Sequence, residues 1–178
     1  VPQLVIPTVA VHQSFLAAWD ELDESEQRWM GAYGFTEDWT RKEAEDPVEF
    51  ARLVAAIRRE ADPETAPPPD LVHQTVLWFV ERDEWLGRLS IRHTLTPALM
   101  ELGGHIGYVV RPSARRKGYA TQMLAQSLPV AANLGIDPAL VTCDTDNHAS
   151  RKVIEAAGGE YEDERHGKLR FWVPTHVS

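Results

Sequence analysis

The sequence predicts a mixed α/β domain: a central mixed sheet of about seven strands with helices on both faces, in the order β-α-α-β-β-β-α-β-α-β-β. Three observations predict it. Apolar, β-rich runs at 72–80, 84–93 and 105–110 read as an antiparallel meander. Two amphipathic stripes precede these runs and a long one follows them. A strand, a helix and a strand then succeed one another from 105 to 144, which requires a right-handed parallel crossover and so mixes the sheet.

Each element has its own signal. Residues 3–8 suit a short first strand. Phe15, Leu16, Trp19 and Leu22 form a helical stripe over 14–22. Residues 25–46 are polar with Trp29, Tyr33, Phe35 and Trp39 scattered among them, and take no assignment. Pro47 after Asp46 starts a helix whose stripe is Phe50, Leu53, Val54 and Ile57. The segment ADPETAPPPD at 61–70 is a loop by composition. After the Gly103-Gly104 turn and the strand at 105–110, a helix runs from about Lys117 to Leu134, with Gly135 as its stop. Pro129 is expected to kink it. Ala139 to Asp144 is a buried-type strand, Asn147 caps a short helix ending at Gly158-Gly159, and 160–164 with 168–173 form a final hairpin.

Composition bounds the function. The chain has 178 residues, 43% hydrophobic and 25% charged, a length that suits one domain, 1–178. The formal net charge of -9 argues against a nucleic-acid surface. No apolar stretch approaches a membrane span. The opening residues VPQLVIPTVA lack the marks of a signal peptide, and the one cysteine forms no internal disulfide. The expected location is therefore the cytoplasm. Cys143, on a buried strand, reads as a core thiol and not as a nucleophile. No histidine spacing suggests a metal site. Residues 1–60 hold 12 acids against 6 bases, which favours cationic or amine-bearing ligands.

Against that acidic background stands a basic turn, Arg111, Arg115, Arg116 and Lys117. It lies between a strand and a helix, with Gly118 where a side chain would block close approach to the backbone. Free amides at a helix start, the helix dipole and three cations suit a pyrophosphate.

Arg115-Arg116-Lys117-Gly118-Tyr119-Ala120 resembles the (Gln/Arg)-x-x-Gly-x-(Gly/Ala) signature of the GNAT superfamily of N-acetyltransferases. The strand Ile106-Gly107-Tyr108-Val109-Val110 precedes it, and Asn147, Ser150, Val153, Glu155 and Gly158 follow in the manner of the family's second motif. The resemblance is firm over 86–160. It implies the GNAT fold, with 71–178 as an acetyl-CoA-binding core and 1–70 as a variable acceptor-side region. It implies acetyl-CoA as co-substrate, no metal, and a primary amine of a small molecule or protein as acceptor. Neither nucleic acid nor membrane is an implied partner, and a homodimer is left open. By the same resemblance the backbone of Val109, Val110 and Arg111 pairs with the pantetheine arm, and an N–H there polarises the thioester carbonyl. Amides from Arg116 to Thr121, within the turn Arg115, Arg116, Lys117, Gly118, Tyr119, Ala120 and Thr121, hold the pyrophosphate. Asn147 bonds the pantetheine arm, with Ser150 beside it.

Acyl transfer from a thioester to an amine needs a proton acceptor, because an amine of pKa ~10.4 is mostly protonated at neutral pH. The position that carries a glutamate base in histone acetyltransferases of the superfamily is His105 here, with Glu101 and His93 as reserves; histidine is well matched to neutral pH. The family's usual tyrosine, seven residues after the asparagine, is Ile154, so the leaving thiolate lacks its usual proton donor. A non-catalytic acyl-CoA-binding module is the alternative reading.

Overall fold

A computed structural model describes residues 1–32, 35 and 37–176; Tyr33 lies outside them. One seven-stranded sheet organises the chain, in the order β1-β2-β3-β4-β5-β7-β6. The strands are β1 (Gln3–Val5), β2 (Gln74–Glu81), β3 (Glu84–Arg92), β4 (Ile106–Val110), β5 (Ala139–Asp144), β6 (Glu160–Arg165) and β7 (Lys168–Val173). All neighbours pair antiparallel except β4 and β5, which run parallel. The mixed sheet of seven strands is therefore as expected.

Helices cover both faces. Helix α1 (His12–Glu21) and α4 (Pro47–Arg59) pack on one face with Val76, Trp78 and Trp85. Four of the rings, Phe15, Phe50, Trp78 and Trp85, make five tilted, stacked and edge contacts at 5.0–6.5 Å. Each such pair adds about 0.5–1.5 kcal/mol beyond its buried area. Between them, α2 (Glu24–Gln27) and α3 (Arg41–Ala44) are single turns, each closed by a full capping box: Asp23 with Glu26, and Thr40 with Glu43. On the other face, α6 (Tyr119–Asn133) and α7 (His148–Ala156) cover Phe79, Leu89, Ile91, Ile106 and Val141. Gly87 lets α6 sit close, since a Cβ there would come within 2.7 Å of the Val109 carbonyl and 3.1 Å of Met123. Helix α6 continues through Pro129 to Asn133. A further short helix, α5 (Pro97–Glu101), sits in the connection before β4.

What matters for the site is how β4 leaves β5. The two strands share one pair, Ile106 with Val141, and then splay apart. Antiparallel ladders alternate the direction of successive backbone groups. The amide of Arg92 donates to the His105 carbonyl and that of Arg111 to the Leu86 carbonyl, which fixes positions 105, 107, 109 and 111 as the ones facing β3. Tyr108 and Val110 therefore turn their backbone groups toward the opening between β4 and β5, where no strand meets them.

Candidate active site

Two hollows adjoin at the splay. The larger, about 510 Å³, runs from Tyr108, Val109 and Val110 across the turn at 115–121 to Asn147, Ser150 and Val153. The smaller, about 270 Å³, opens on the α1/α4 face and is lined by Gln74, Arg88, Ser90, Arg92, Trp29 and Gly107. Glu26, Tyr108 and Val109 border both.

The turn is built to present amides. Arg116 and Gly118 both take left-handed backbone angles, φ 64 and 77 degrees, so successive N–H groups curl toward one side. Gly118 caps α6 without any side-chain hydrogen bond. The amides of residues 116–121 meet no acceptor among the described residues. A Cβ built on Gly118 finds no atom within 4 Å: the space beside it is the cleft itself, and a side chain would fill it. Backbone donors at a helix start, with an open cradle before them, fit a phosphate group. Arg115 donates to the Val110 carbonyl at 2.9 Å and pairs with Glu26 at 3.0 Å, tying the turn to β4 and to α2.

Ten of the twelve expected cofactor residues line the larger hollow: Val109, Val110, Arg115, Arg116, Gly118, Tyr119, Ala120, Thr121, Asn147 and Ser150. Two do not. The amide of Arg111 donates to Leu86, and its guanidinium is buried against Glu21 at 2.6 Å, Ser14 and the Trp85 carbonyl, so this residue clamps the end of β4 to α1. The Lys117 side chain is exposed and lies outside the hollow. Val109 borders the cleft, but its backbone groups face β3; the Tyr108 backbone groups and the Val110 amide face the opening, while the Val110 carbonyl is taken by Arg115. Asn147 accepts the Ser150 amide at 3.1 Å, the ordinary work of a helix cap, on the rim of the hollow.

The three candidate bases fall elsewhere. His105 is 9% exposed and lines neither hollow. Its Nδ1 accepts the Leu140 amide at 2.9 Å, so a neutral ring carries its proton on Nε2 and has no lone pair to spare. Burial, helped by the nearby Arg92 charge, pushes its pKa below the ordinary value and keeps it neutral. His93 is occupied by Thr75 at 2.8 Å and stacks on His73. Glu101 pairs with Arg165 at 3.1 Å and faces His166. A base must reach the substrate, and neither hollow is lined by His105, Glu101 or His93.

Tyr108, not among the expected site residues, borders both hollows. The Tyr108 hydroxyl meets the hydroxyl of Ser150, a residue that lines the larger hollow, at 3.2 Å. Burial raises the Tyr108 pKa, with the Ser150 hydrogen bond acting the other way, so the phenol stays protonated across the neutral range. The available signal was the aromatic residue of the Ile106-Gly107-Tyr108 run. Ile154, by contrast, is fully buried in the core. Of the three N-terminal tryptophans, Trp19 and Trp39 are core residues, while Trp29 is 42% exposed and lines the smaller hollow.

A sheet that splays beside an amide-rich turn, with a second hollow at its inner end, suits transfer of a thioester-borne acetyl group from one side to an amine on the other. The class is that of acetyl-CoA-dependent N-acetyltransferases. Residues 10–160 match the family model described as an acetyltransferase (GNAT) domain, and the chain belongs to that family. No curated protein matches the sequence. Among solved structures, the chain is similar to Mycobacterium smegmatis RimJ in complex with CoA-disulfide, at 18% identity and TM-score 0.60 over 98% of this chain and 86% of that one. It is similar to the microcin self-immunity acetyltransferase MccE in complex with acetyl-CoA and AMP, at 13% and 0.56 over 96% and 91%. It is also similar to a Salmonella typhimurium acetyltransferase that modifies the N-terminal serine of a 50S ribosomal subunit protein, at 15% and 0.54 over 95% and 91%. At these identities the likeness is one of fold.

Among the described residues no group of three or more histidines, cysteines or carboxylates could hold a metal, and no described helix is long and apolar enough to cross a membrane.

Proposed function

We propose that this chain moves the acetyl group of acetyl-CoA to a primary amine by direct attack, with the pantetheine arm between β4 and β5 and the amine in the smaller hollow. The observation that supports this most is the set of backbone groups without protein partners: the amides at 116–121 and those of Tyr108 and Val110, arranged along one continuous cleft. Acetyl-CoA supplies the activated thioester. The chain supplies position, hydrogen bonds and proton transfer.

In this reading the amides at 116–121 hold the pyrophosphate. The Tyr108 and Val110 backbone pairs with the arm as an added strand would, and an N–H of that pair polarises the carbonyl under attack. Glu26 is the one carboxylate bordering both hollows among the described residues, and it takes the amine proton directly or through a water. The Tyr108 hydroxyl, supported by Ser150, returns a proton to the departing thiolate in place of the tyrosine that Ile154 replaces. The amine is that of a small molecule or of a protein terminus. Acetyl-CoA and the buried free thiol of Cys143 are both at home in the cytoplasm, where we place the enzyme.

The test is a CoA-release assay with a panel of amines, run beside calorimetric titration with CoA. Turnover with at least one amine, lost in Gly118→Val together with CoA binding, is the expected result. CoA binding without turnover of any amine would favour an acyl-CoA-binding module instead.

A further inference from the structure

The smaller hollow carries more charge than amine transfer requires. Arg88 and Arg92 stand four positions apart on β3, an even spacing that puts both on the same face of the sheet. Both line the hollow beside Gln74 and Ser90. Neither guanidinium forms an ion pair with a carboxylate of the described residues. Arg92 donates to the carbonyls of Gly103 and Gly104, at 3.3 and 3.1 Å. Arg88 lies over the Trp29 ring at 5.9 Å, and its buried Nε has no hydrogen-bond partner. A buried donor left unpaired costs free energy unless a ligand satisfies it.

Two carboxylates accompany this pair. Glu60, 3% exposed, accepts from Gln74 through one oxygen, and its other oxygen is unpartnered. Burial raises the Glu60 pKa, with Arg88 acting against the shift, so Glu60 offsets the two cations only in part. Glu26 is already paired with Arg115. Burial also lowers the pKa of both arginines, with Glu60 acting against the shift at Arg88, and a guanidinium stays protonated in any protein. The acidic residues of the N-terminal region do not redress this balance. Asp20 pairs with Arg41, Glu21 with Arg111, and Glu37 and Glu49 with Arg52. The excess of acid in residues 1–60 is thus not an excess facing the acceptor.

We infer that the acceptor is a small amine bearing a carboxylate, an amino acid or a compound of that kind, whose carboxylate is held by Arg88 and Arg92 while its amine points to the junction of the two hollows. This rests on the transferase reading given above. The polarity of the hollow matches such a molecule end to end. Glu26 stands at the junction, where an ammonium group arrives and gives up its proton, and the two arginines stand beyond it. A volume of about 270 Å³ admits an amino-acid-sized ligand and little more. Planar, forked guanidinium donors suit a carboxylate, and Gln74 and Ser90 offer further polar contacts.

The experiment uses the full chain and matched pairs. CoA release is measured with glycine against glycinamide and with 4-aminobutyrate against its amide, and with 3-aminopropylphosphonate as a second anion. The same assays are run on Arg88→Met, Arg92→Met and the double variant Arg88→Met/Glu60→Gln, which removes both buried charges at once and guards against misfolding. At least one acid should exceed its amide in kcat/KM by roughly tenfold or more, the worth of a charged hydrogen-bonded contact. The ratio should approach one in the arginine variants that fold. Calorimetric titration of the CoA-saturated protein with butyrate and with butyramide reads the same site without turnover. Butyrate should bind more tightly, and the difference should vanish in the arginine variants. Four results would overturn the inference: amides used as well as acids by the native protein, an acid preference that survives both arginine variants, a phosphonate preferred to every carboxylate, or faster acetylation of a peptide amine lacking carboxylates. Butyrate selectivity without turnover of any amine would uphold the carboxylate site and remove the transferase reading. Turnover of neutral amines with no butyrate selectivity would do the reverse.

Discussion

The His105 ring accepts the Leu140 amide at Nδ1, 2.9 Å away, while the Leu140 carbonyl accepts the His105 main-chain N–H at 2.8 Å. The two residues close the gap between β4 and β5 just before the strands part. The histidine thus stands in for a strand pair that the splay would otherwise interrupt, and Ile106 with Val141 is the last true pair.

A first prediction follows from that contact. In His105→Asn the side-chain oxygen can replace Nδ1 as acceptor, so turnover should stay within a few-fold of the native rate. His105→Leu leaves the Leu140 amide unsatisfied and should cost about 1–3 kcal/mol. The pKa of His105 is lowered, first by burial and then by Arg92, so the folded state prefers the neutral ring. Its stability term is present above the unfolded value of about 6.5 and is lost as pH falls through the lower folded value. The melting temperature of the native protein should therefore drop between pH 7 and 5 more than that of His105→Asn. His93, whose pKa is lowered likewise, contributes equally to both proteins. A rate loss of a hundredfold in a folded His105→Asn would restore the ring as base.

The second prediction concerns Arg111 and Glu21, 2.6 Å apart with side chains 11% and 28% exposed. Arg111→Met should destabilise the fold by about 3 kcal/mol, the low end for losing one partner of a buried pair. That corresponds to roughly 6–12 °C in melting temperature for a chain of this size. Burial raises the Glu21 pKa, but hydrogen bonds from Arg111 and Ser113 outweigh it and the net shift is downward. The pair's stabilisation is thus present above the ordinary carboxylate value and fades as pH falls below it. The variant should show a flatter acid limb in a pH–stability profile. Affinity for CoA should change little, because both the Arg111 amide and its guanidinium face away from the cleft.

The third prediction separates binding from folding at Gly118. Its backbone sits at φ 77 degrees, where a side chain costs roughly 1–2 kcal/mol, and an added Cβ meets no protein atom. Gly118→Val should therefore remain folded, with a melting temperature a few degrees lower, yet lose CoA affinity by far more than that strain explains. Calorimetry on the folded variant decides the matter, and native affinity would remove the phosphate site from this turn.

The fourth prediction assigns the proton donor. Tyr108→Phe should lower kcat by roughly 10²-fold or more, within the usual worth of a positioned acid, with a smaller change in the KM for acetyl-CoA. Ser150→Ala should cost less, and the double variant should fall no further than Tyr108→Phe alone, because the serine acts through the phenol. Additive losses would assign the two hydroxyls separate roles.

How much of this was legible in the sequence depends on the range of the contact that decides it. Strand and helix limits were readable because period and caps are local. The strand Ala139 to Asp144 begins and ends where its apolar run does, and Asn147 caps the helix it was expected to cap. The two single-turn helices at 24–27 and 41–44 were also signalled, by Asp23 with Glu26 and Thr40 with Glu43, but those capping boxes lack the apolar run that would announce a longer helix. The role of His105 was not readable, since it depends on a backbone amide 35 positions away. The same holds for Arg111, committed to Glu21 across 90 positions. Arg88, Ser90 and Arg92 alternate with apolar neighbours along β3, but that alternation is equally the pattern of a solvent-facing side, so the hollow they line was not readable from it.

The central claim is that acetyl-CoA lies along the splay of β4 and β5 with its phosphates on the turn before α6. Amide hydrogen exchange read residue by residue, with and without CoA, tests it most directly. Tyr108, Val110 and residues 116–121 should exchange fast in the free protein and become protected on binding, while Gly107 and Val109, already bonded to β3, should change little. Protection confined to other segments, or unchanged exchange at 116–121 under saturating CoA, would contradict the account.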